Sequence, residues 1–408
     1  MDLQAQIIAD TDRCVMCGLC LPHCPTFGLF RHEAESPRGR ISLMQAVARA
    51  QLQADAGLRM HLDHCLACRA CEAMCPSQVR YGRLLRNMQE YLYQSGSSSI
   101  LANTLATPAR RRLLGRVLQL LRISGMQYLT QKLHLPSKGV MGRLLQGLPR
   151  GQTGQALPEY TPAQRELRGE VALFVGCTGD LLQRNVLHAS RHLLSALGYA
   201  VYIPKTHGCC GALHVQQGDG TRVRELAQQN LAAFPDSVET IISVASGCGA
   251  LLTEYGELLD DERADDFARR VIDINMFLSN VAWHDELSLQ SLPATVAVHE
   301  PCSLRNVLHG QASVYELLRR IPQLKVIALP HNDRCCGAAG SYLSRYPAEA
   351  DALRADKITA VENLSPDYLV SANIGCAMHL ATGLRERGLA VEVLHPISLL
   401  ARQLRNTS

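Results

Sequence analysis

Residues 14–25 read CVMCGLCLPHCP, and residues 65–76 read CLACRACEAMCP. The filling differs but the punctuation is shared: Cys-x2-Cys-x2-Cys-x3-Cys-Pro, with cysteines at 14, 17, 20 and 24 and at 65, 68, 71 and 75. A cubane [4Fe–4S] cluster needs four thiolates converging on a very small volume. Three cysteines two residues apart wrap three thiolates around one cube, and in paired runs the fourth cysteine ligates the other cluster. The spacing therefore assigns Cys14, Cys17, Cys20 and Cys75 to one cluster, and Cys65, Cys68, Cys71 and Cys24 to a second. Gly18 keeps side-chain bulk away from the sulfurs, while Pro25 and Pro76 turn the chain off the clusters. Zinc fits this pattern poorly, because its sites typically draw on two separated cysteine pairs.

The flanking sequence reads as helical. In SPRGRISLMQAVARAQLQA (36–54), Ser36 and Pro37 make a helix start, and Ile41, Leu43, Met44, Val47 and Leu52 form an apolar stripe. A further helix is expected through YGRLLRNMQEYLY (81–93). Residues 1–95 are thus predicted to be an α-helical region with clusters held at helix ends and loops.

Residues 96–165 change character. No Asp or Glu occurs between Glu90 and Glu159, while nine Lys or Arg do. RRRLLGRVLQLLRISGMQYLTQKLHL (110–135) reads as one or two basic amphipathic helices, and GLPRGQTGQALPEYTP (147–162) as a linker. Such a segment is either a solvated connector packed on one face or a dock for an acidic partner or an anionic membrane surface.

The remainder repeats internally. VALFVGC (171–177), GCCGALH (208–214) and IISVASGC (241–248) recur as ATVAVHEPC (294–302), RCCGAAG (334–340) and YLVSANIGC (368–376). Equivalent cysteines are offset by 125, 126 and 128 residues, so the copies stay in step. In each copy short β-branched runs end at a cysteine and a helical pattern follows; VYIPK (201–205) and KVIALP (325–330) add a strand apiece. The expected fold class is α+β and multidomain: the helical domain, then two α/β modules at 166–288 and 289–408 with mostly parallel sheets. Ligands of such sheets gather at the carboxyl ends of the strands, where these cysteines lie.

Of the 408 residues 47% are hydrophobic, enough for ordinary cores, and the 16 cysteines are all accounted for by the runs and repeats. The start, MDLQAQIIADTDRC, lacks the basic and apolar regions of a secretory signal, and no apolar stretch is long enough to span a bilayer. A reducing, cytoplasmic setting is expected, where patterned cysteines serve metal or redox chemistry. His207, His299 and His331 lie near the repeat cysteines and read as surface or loop residues; Trp283 reads as packing.

The N-terminal region resembles the α-helical ferredoxin domains of quinone-linked dehydrogenases. The repeats, with CCG at 209–211 and 335–337, resemble the paired cysteine-rich CCG domains found in heterodisulfide reductases and in the iron–sulfur subunits of glycerol-3-phosphate, lactate and glycolate oxidation systems. ESPRGRI (35–41), ASGCGALLTEYG (245–256) and SANIGCAMHL (371–380) resemble most the iron–sulfur subunits of glycolate oxidase. The fullest CCG pattern ends in Cys-x-x-Cys, but Ala245 and Asn373 replace its first cysteine here. Each repeat keeps four thiols, Cys177, Cys209, Cys210 and Cys248, then Cys302, Cys335, Cys336 and Cys376. Four suffice for a further cluster or for zinc, and a retained pocket without metal is the third reading.

No Gly-x-Gly-x-x-Gly follows a strand and no P-loop occurs, so neither flavin nor nicotinamide is expected on this chain. Dehydrogenating a 2-hydroxy acid needs such a cofactor. The resemblance implies an FAD-containing dehydrogenase subunit as partner, a quinone or other membrane electron acceptor, no nucleic acid, and a peripheral place on the cytoplasmic face of the inner membrane. The expected role is electron transfer from glycolate oxidation. Alternatives are the same role for D-lactate or glycerol-3-phosphate, or heterodisulfide-reductase-like thiol chemistry at the CCG sites.

Overall fold

The computed structural model describes residues 2–93, 100–125, 146–149, 155–284 and 287–404. The N-terminal region is helical, with helices at Leu3–Asp12, Pro25–Phe30, Pro37–Ala48, Ala56–Asp63, Ala70–Ala73 and Tyr81–Tyr91. Ile7, Met44, Leu62, Leu84 and Met88 fill their common core. The helix at 37 begins where its sequence signals lie: the Ser36 hydroxyl accepts from Gly39 N at 2.9 Å and Pro37 takes the first turn. It ends at Ala48, short of the expected stripe, and Leu52 is exposed beyond it. Ala50, with φ of 56°, reverses the chain before Leu52 can join the core face.

Two sheets follow. The first has β1 (Tyr160–Thr161), β2 (Gly169–Phe174), β3 (Tyr199–Tyr202), β4 (Ile241–Ser243) and β5 (Val271–Asp273), in the order β1-β3-β2-β4-β5. The second has β6 (Thr295–His299), β7 (Lys325–Ala328), β8 (Tyr368–Ser371) and β9 (Glu392–Leu394), in the order β7-β6-β8-β9. Among the described residues, every pairing between these named strands is parallel except β1 on β3. The orders superpose as β3-β2-β4-β5 on β7-β6-β8-β9, so the repeat is one of topology as well as spacing. The linker contributes β1, and β5 and β9 close each sheet; these short strands carried no sequence signal of their own.

Alternation sorts each strand between two layers. Val171, Leu173, Val296, Val298 and Val370 face a core shared by the repeats. Ala172 and Phe174 face a separate core on one side, and Ala297 and Leu369 another on the opposite side. Helices Arg184–Ala196, Ile274–Asn280, Gln311–Leu318 and Pro396–Arg402 fill the shared layer. A single apolar core thus joins the two modules.

The basic stretch forms a helix over Pro108–Ile123 after a short one at Ile100–Ala106. Residues 126–135 of the stretch lie outside the described residues. Among the described residues no helix is long and apolar enough to cross a membrane.

Candidate thiol centres

Each tandem run folds as a loop with left-handed residues two and four positions after its first cysteine: Met16 and Gly18 in one, Ala67 and Arg69 in the other. These reversals curl the loop so that its sulfurs converge. Cys14, Cys17, Cys20, Cys71 and Cys75 line one hollow. Cys24, Cys65, Cys68 and Cys71 line a second hollow, beside Thr26, Arg40 and Tyr81. No carboxylate lines either hollow among the described residues. Burial, then neighbouring thiols, push Cys71 well above the usual thiol range. Burial likewise raises Cys68, with Cys302 of the second repeat as the next cause. Protons are therefore costly to remove from these sulfurs unless a cation replaces them.

The two hollows differ in setting. Cys17 is exposed, as are Val15, Met16 and Leu19 around it. Pro37 and Arg40 of the motif Glu35–Ile41 line the second hollow, while Pro37, Arg38 and Ile41 line the first. Arg40 is buried and donates to Glu35 Oε2 at 2.6 Å, Thr26 Oγ1 at 3.0 Å and the His61 carbonyl at 2.7 Å. The other Glu35 oxygen meets the Nδ1 atoms of His61 and His64 at 2.6 and 2.8 Å. Gly39 is obligatory there, because a Cβ would collide with the Glu33 carbonyl oxygen. Thr26 Oγ1 also lies 3.3 Å from Cys24 Sγ, which ties this charge network to the sulfur set.

In each repeat the Cys-Cys pair sits in the loop after β3 or β7. Gly211 (φ +94°) and Gly337 (φ +86°) turn that loop, a conformation side chains disfavour. In the first repeat Cys177 and Cys209 sulfurs are 3.5 Å apart, and Gly211 N donates to Cys209 Sγ at 3.4 Å. Hydrogen bonds from Cys177, then Cys210, hold the Cys209 thiol well below its usual range. In the second repeat the same effect from Cys335, Cys376 and His299 lowers Cys336, and Cys335 lowers Cys302. In each repeat the Cys-Cys pair of the loop therefore meets the cysteines that follow the neighbouring strands.

The positions of the missing fifth thiols have become contacts between the repeats. Asn373 caps helix Ile374–Glu386, accepting from Gly375 N at 3.0 Å, and its amide reaches Ser246 Oγ at 3.4 Å. Ser246 Oγ in turn lies 2.8 Å from Ser303 Oγ, and Ala245 is buried beside it.

The inner N-terminal hollow abuts the second repeat. Asn306 Nδ2 donates to the Cys68 carbonyl at 2.7 Å. Leu66, Cys68, Cys302, Cys335 and Tyr342 share one apolar cluster. The first repeat is held differently, by ion pairs of Arg69 and Arg86 with Glu254 and of Arg80 and Arg86 with Glu257.

Three functional features escaped the sequence reading. His299 is not a surface residue: it is buried at the end of β6, its Nδ1 lies 3.0 Å from Ser371 Oγ, and a ring nitrogen lies within 4.8 Å of Cys336 and Cys376 sulfurs. His207, half-buried, accepts from Val175 N, while His331 is exposed. Lys357 is completely buried and donates to the His331 carbonyl at 2.8 Å; burial lowers its pKa, while the sulfurs of Cys336, Cys335 and Cys376 act in the opposite direction. At the matching register the first repeat has Phe174 beside Ser243 where the second has His299 beside Ser371. Asn230, bonded to the Cys209 carbonyl at 3.0 Å, stands in the place of Lys357. Third, Arg111 turns inward: it donates to the Leu105 carbonyl. The hydrogen bond with Cys209, then burial, push the Cys177 thiol well above its usual range, and Arg111 opposes that rise only weakly. Aligning the repeats against each other would have exposed the first two.

A model of the 4Fe-4S dicluster domain matches residues 10–79, and one of the cysteine-rich CCG domain matches 171–253 and 296–381. The probable glycolate oxidase iron-sulfur subunit of Bacillus subtilis (strain 168) is 34% identical over 413 residues, covering 95% of this chain and 92% of its own. The glycolate oxidase iron-sulfur subunit of Escherichia coli (strain K12) is 32% identical over 384 residues, covering 90% and 89%. Lactate utilization protein A of Geobacillus thermodenitrificans (strain NG80-2) is 28% identical over 236 residues, 57% of this chain and 98% of that protein. With two thiol-lined hollows in a helical head, two CCG modules behind it and full-length similarity at this level, the chain belongs to the family of glycolate oxidase iron–sulfur subunits.

Proposed function

We propose that this chain is the electron-transfer subunit of a glycolate-oxidising complex. Two electrons and two protons leave each glycolate as it becomes glyoxylate on an FAD subunit. The electrons enter this chain singly and leave toward a quinone-type acceptor at the cytoplasmic face of the inner membrane. The supporting observation is the order of the sulfur sets: an exposed one at Cys17, an inner one at Cys68, then the second repeat's at Cys302.

Two [4Fe–4S] clusters would supply one-electron uptake and release in the N-terminal region. Cys14, Cys17, Cys20 and Cys75 would hold one, and Cys24, Cys65, Cys68 and Cys71 the other. The donor chemistry fits, since all-thiol hollows select iron–sulfur clusters or zinc over hard cations. Val15, Met16 and Leu19 would exclude water where the donor subunit docks. Arg40 places a fixed positive charge beside the inner set and, through Thr26, orients Cys24. Cys302, Cys335, Cys336 and Cys376 would hold a further cluster or zinc, as would Cys177, Cys209, Cys210 and Cys248.

Alone, the chain is expected to show no glycolate-dependent dye reduction, because nothing on it accepts hydride. Activity is expected once a flavin subunit is added. Turnover of glycolate by the flavin-free chain would sink the proposal. A lactate-linked complex is the second reading, favoured by the similarity to lactate utilization proteins. Comparing glycolate with D-lactate in the assembled complex separates the two.

Lys357 gives a further expectation. A buried ammonium beside three thiols stabilises the more negative, reduced state of any redox centre they hold. Lys357→Met should shift the midpoint of a second-repeat cluster negative by about 60 mV, one tenfold step for a single electron. EPR-monitored titration reads this directly; an unchanged midpoint would remove Lys357 from that role.

A further inference from the structure

The helix Pro108–Ile123 has two unlike faces. Its inner face lies on the first repeat. Leu114 joins the apolar cluster of Leu105, Cys177, Leu181 and Leu226, and Gly115 is so close to Leu181 that a Cβ would lie 3.1 Å from its methyl. An amphipathic helix would ordinarily present polar residues on the opposite face. This one presents Leu113, Val117 and Leu120, which are 63%, 45% and 66% exposed. Their spacing, i, i+4 and i+7, puts them in one row along the helix. Ile123, also exposed, borders the row at its end.

The edges of the row are basic. Arg110, Arg112 and Arg116 are exposed, and among the described residues none of them pairs with a carboxylate. No acidic residue occurs anywhere from 91 to 158 to offset them. Arg111 is excluded from this group by its inward turn.

We infer that this outer face is a membrane-surface helix that seats the subunit on an anionic bilayer. An aliphatic row bordered by arginines matches the boundary between acyl chains and headgroups: the row enters the apolar layer and the guanidinium groups reach back to the phosphates. A protein partner would favour aromatic anchors, and the row has none. Cations this close to an anionic surface contribute about fivefold each in partition, so three contribute roughly a hundredfold. The inference deepens the proposed delivery of electrons to a membrane acceptor and rests on that reading for its purpose. Lipid binding itself is measured apart from electron transfer, so the two fail separately.

The test is sedimentation of the full chain with phosphatidylcholine vesicles, with and without phosphatidylglycerol. Binding is expected only to the anionic vesicles, and is expected to weaken strongly between about 0.1 M and about 1 M salt as the screening length falls from about 10 Å to about 3 Å. Arg110→Gln, Arg112→Gln and Arg116→Gln together should lower partition roughly a hundredfold. Leu113→Gln, Val117→Gln and Leu120→Gln together should lower it at least about tenfold at unchanged charge. Circular dichroism and iron content, expected unchanged, show that both variants are folded. Equal binding to neutral vesicles, no binding by the parent chain, or undiminished binding by either variant would overturn the inference. Loss of flavin-subunit association in the variants, without any lipid binding by the parent, would make the face a protein dock and overturn it equally.

Discussion

A Cys68→Ala chain is expected to lose about half of its N-terminal iron and acid-labile sulfide, because one of two four-thiolate sets is broken while the other keeps all its members. Glycolate-dependent reduction of the acceptor by the assembled complex should fall to background. Cys68 is the informative choice among the eight cysteines. It is the one whose backbone carbonyl is held by Asn306, and its sulfur shares an apolar cluster with Cys302. Removing it therefore interrupts the sequence of sulfur sets at its middle, with the exposed set untouched. Cys14→Ala should cost the same iron but break the exposed end instead. Anaerobic iron and sulfide analysis with EPR distinguishes these outcomes. Full iron content and undiminished signals in Cys68→Ala would refute the ligand assignment, as would reconstitution of the parent chain with zinc alone.

Arg40→Met is expected to destabilise the N-terminal region by about 3–5 kcal/mol, the typical cost of removing one partner from a buried ion pair. Glu35, at 3% exposure, would lose the only guanidinium bonded to it among the described residues, and the His61 carbonyl and Thr26 hydroxyl would lose their donor. Such a loss is a large share of the total stability of a domain this size. Arg40→Lys should recover only part of it, since an ammonium cannot reproduce the planar fork that reaches Glu35, Thr26 and His61 at once. The measurement is the urea midpoint of the anaerobic, iron-loaded chain for both variants. A change below about 1 kcal/mol in Arg40→Met would mean that water replaces the guanidinium, and the network would then be incidental.

The tandem runs, the step of the repeats and the strands ending at cysteines were legible because each depends on residues close in the chain. Ser36 capping, Pro37 at a first helical turn, and Gly211 or Gly337 in a left-handed turn are of the same kind: local rules with local causes. Where the reading of 36–54 failed, a single left-handed residue, Ala50, ended the core face before Leu52. The short strands β1, β5 and β9 escaped because two or three residues carry too little periodicity, and their pairing is imposed by the neighbouring strand.

By itself, then, the order of residues determined where the thiol runs and pairs fall, which loops carry them, and that two α/β modules follow a helical head. Spacings of two residues bring three sulfurs of a set together wherever the turn forms; the fourth, Cys75 or Cys24, comes from the other run and needs the two loops to meet. Only the tertiary structure decided what each set faces. Cys68 meets Cys302 from far along the chain, His299 is buried against Cys336 and Cys376 because β6 lies between β7 and β8, and Lys357 acts on the same thiols from a helix of its own. It also decided that Arg111 turns inward while Leu113, Val117 and Leu120 face water. A helical pattern specifies only that faces exist; which of them is covered depends on the surface against which the helix comes to rest.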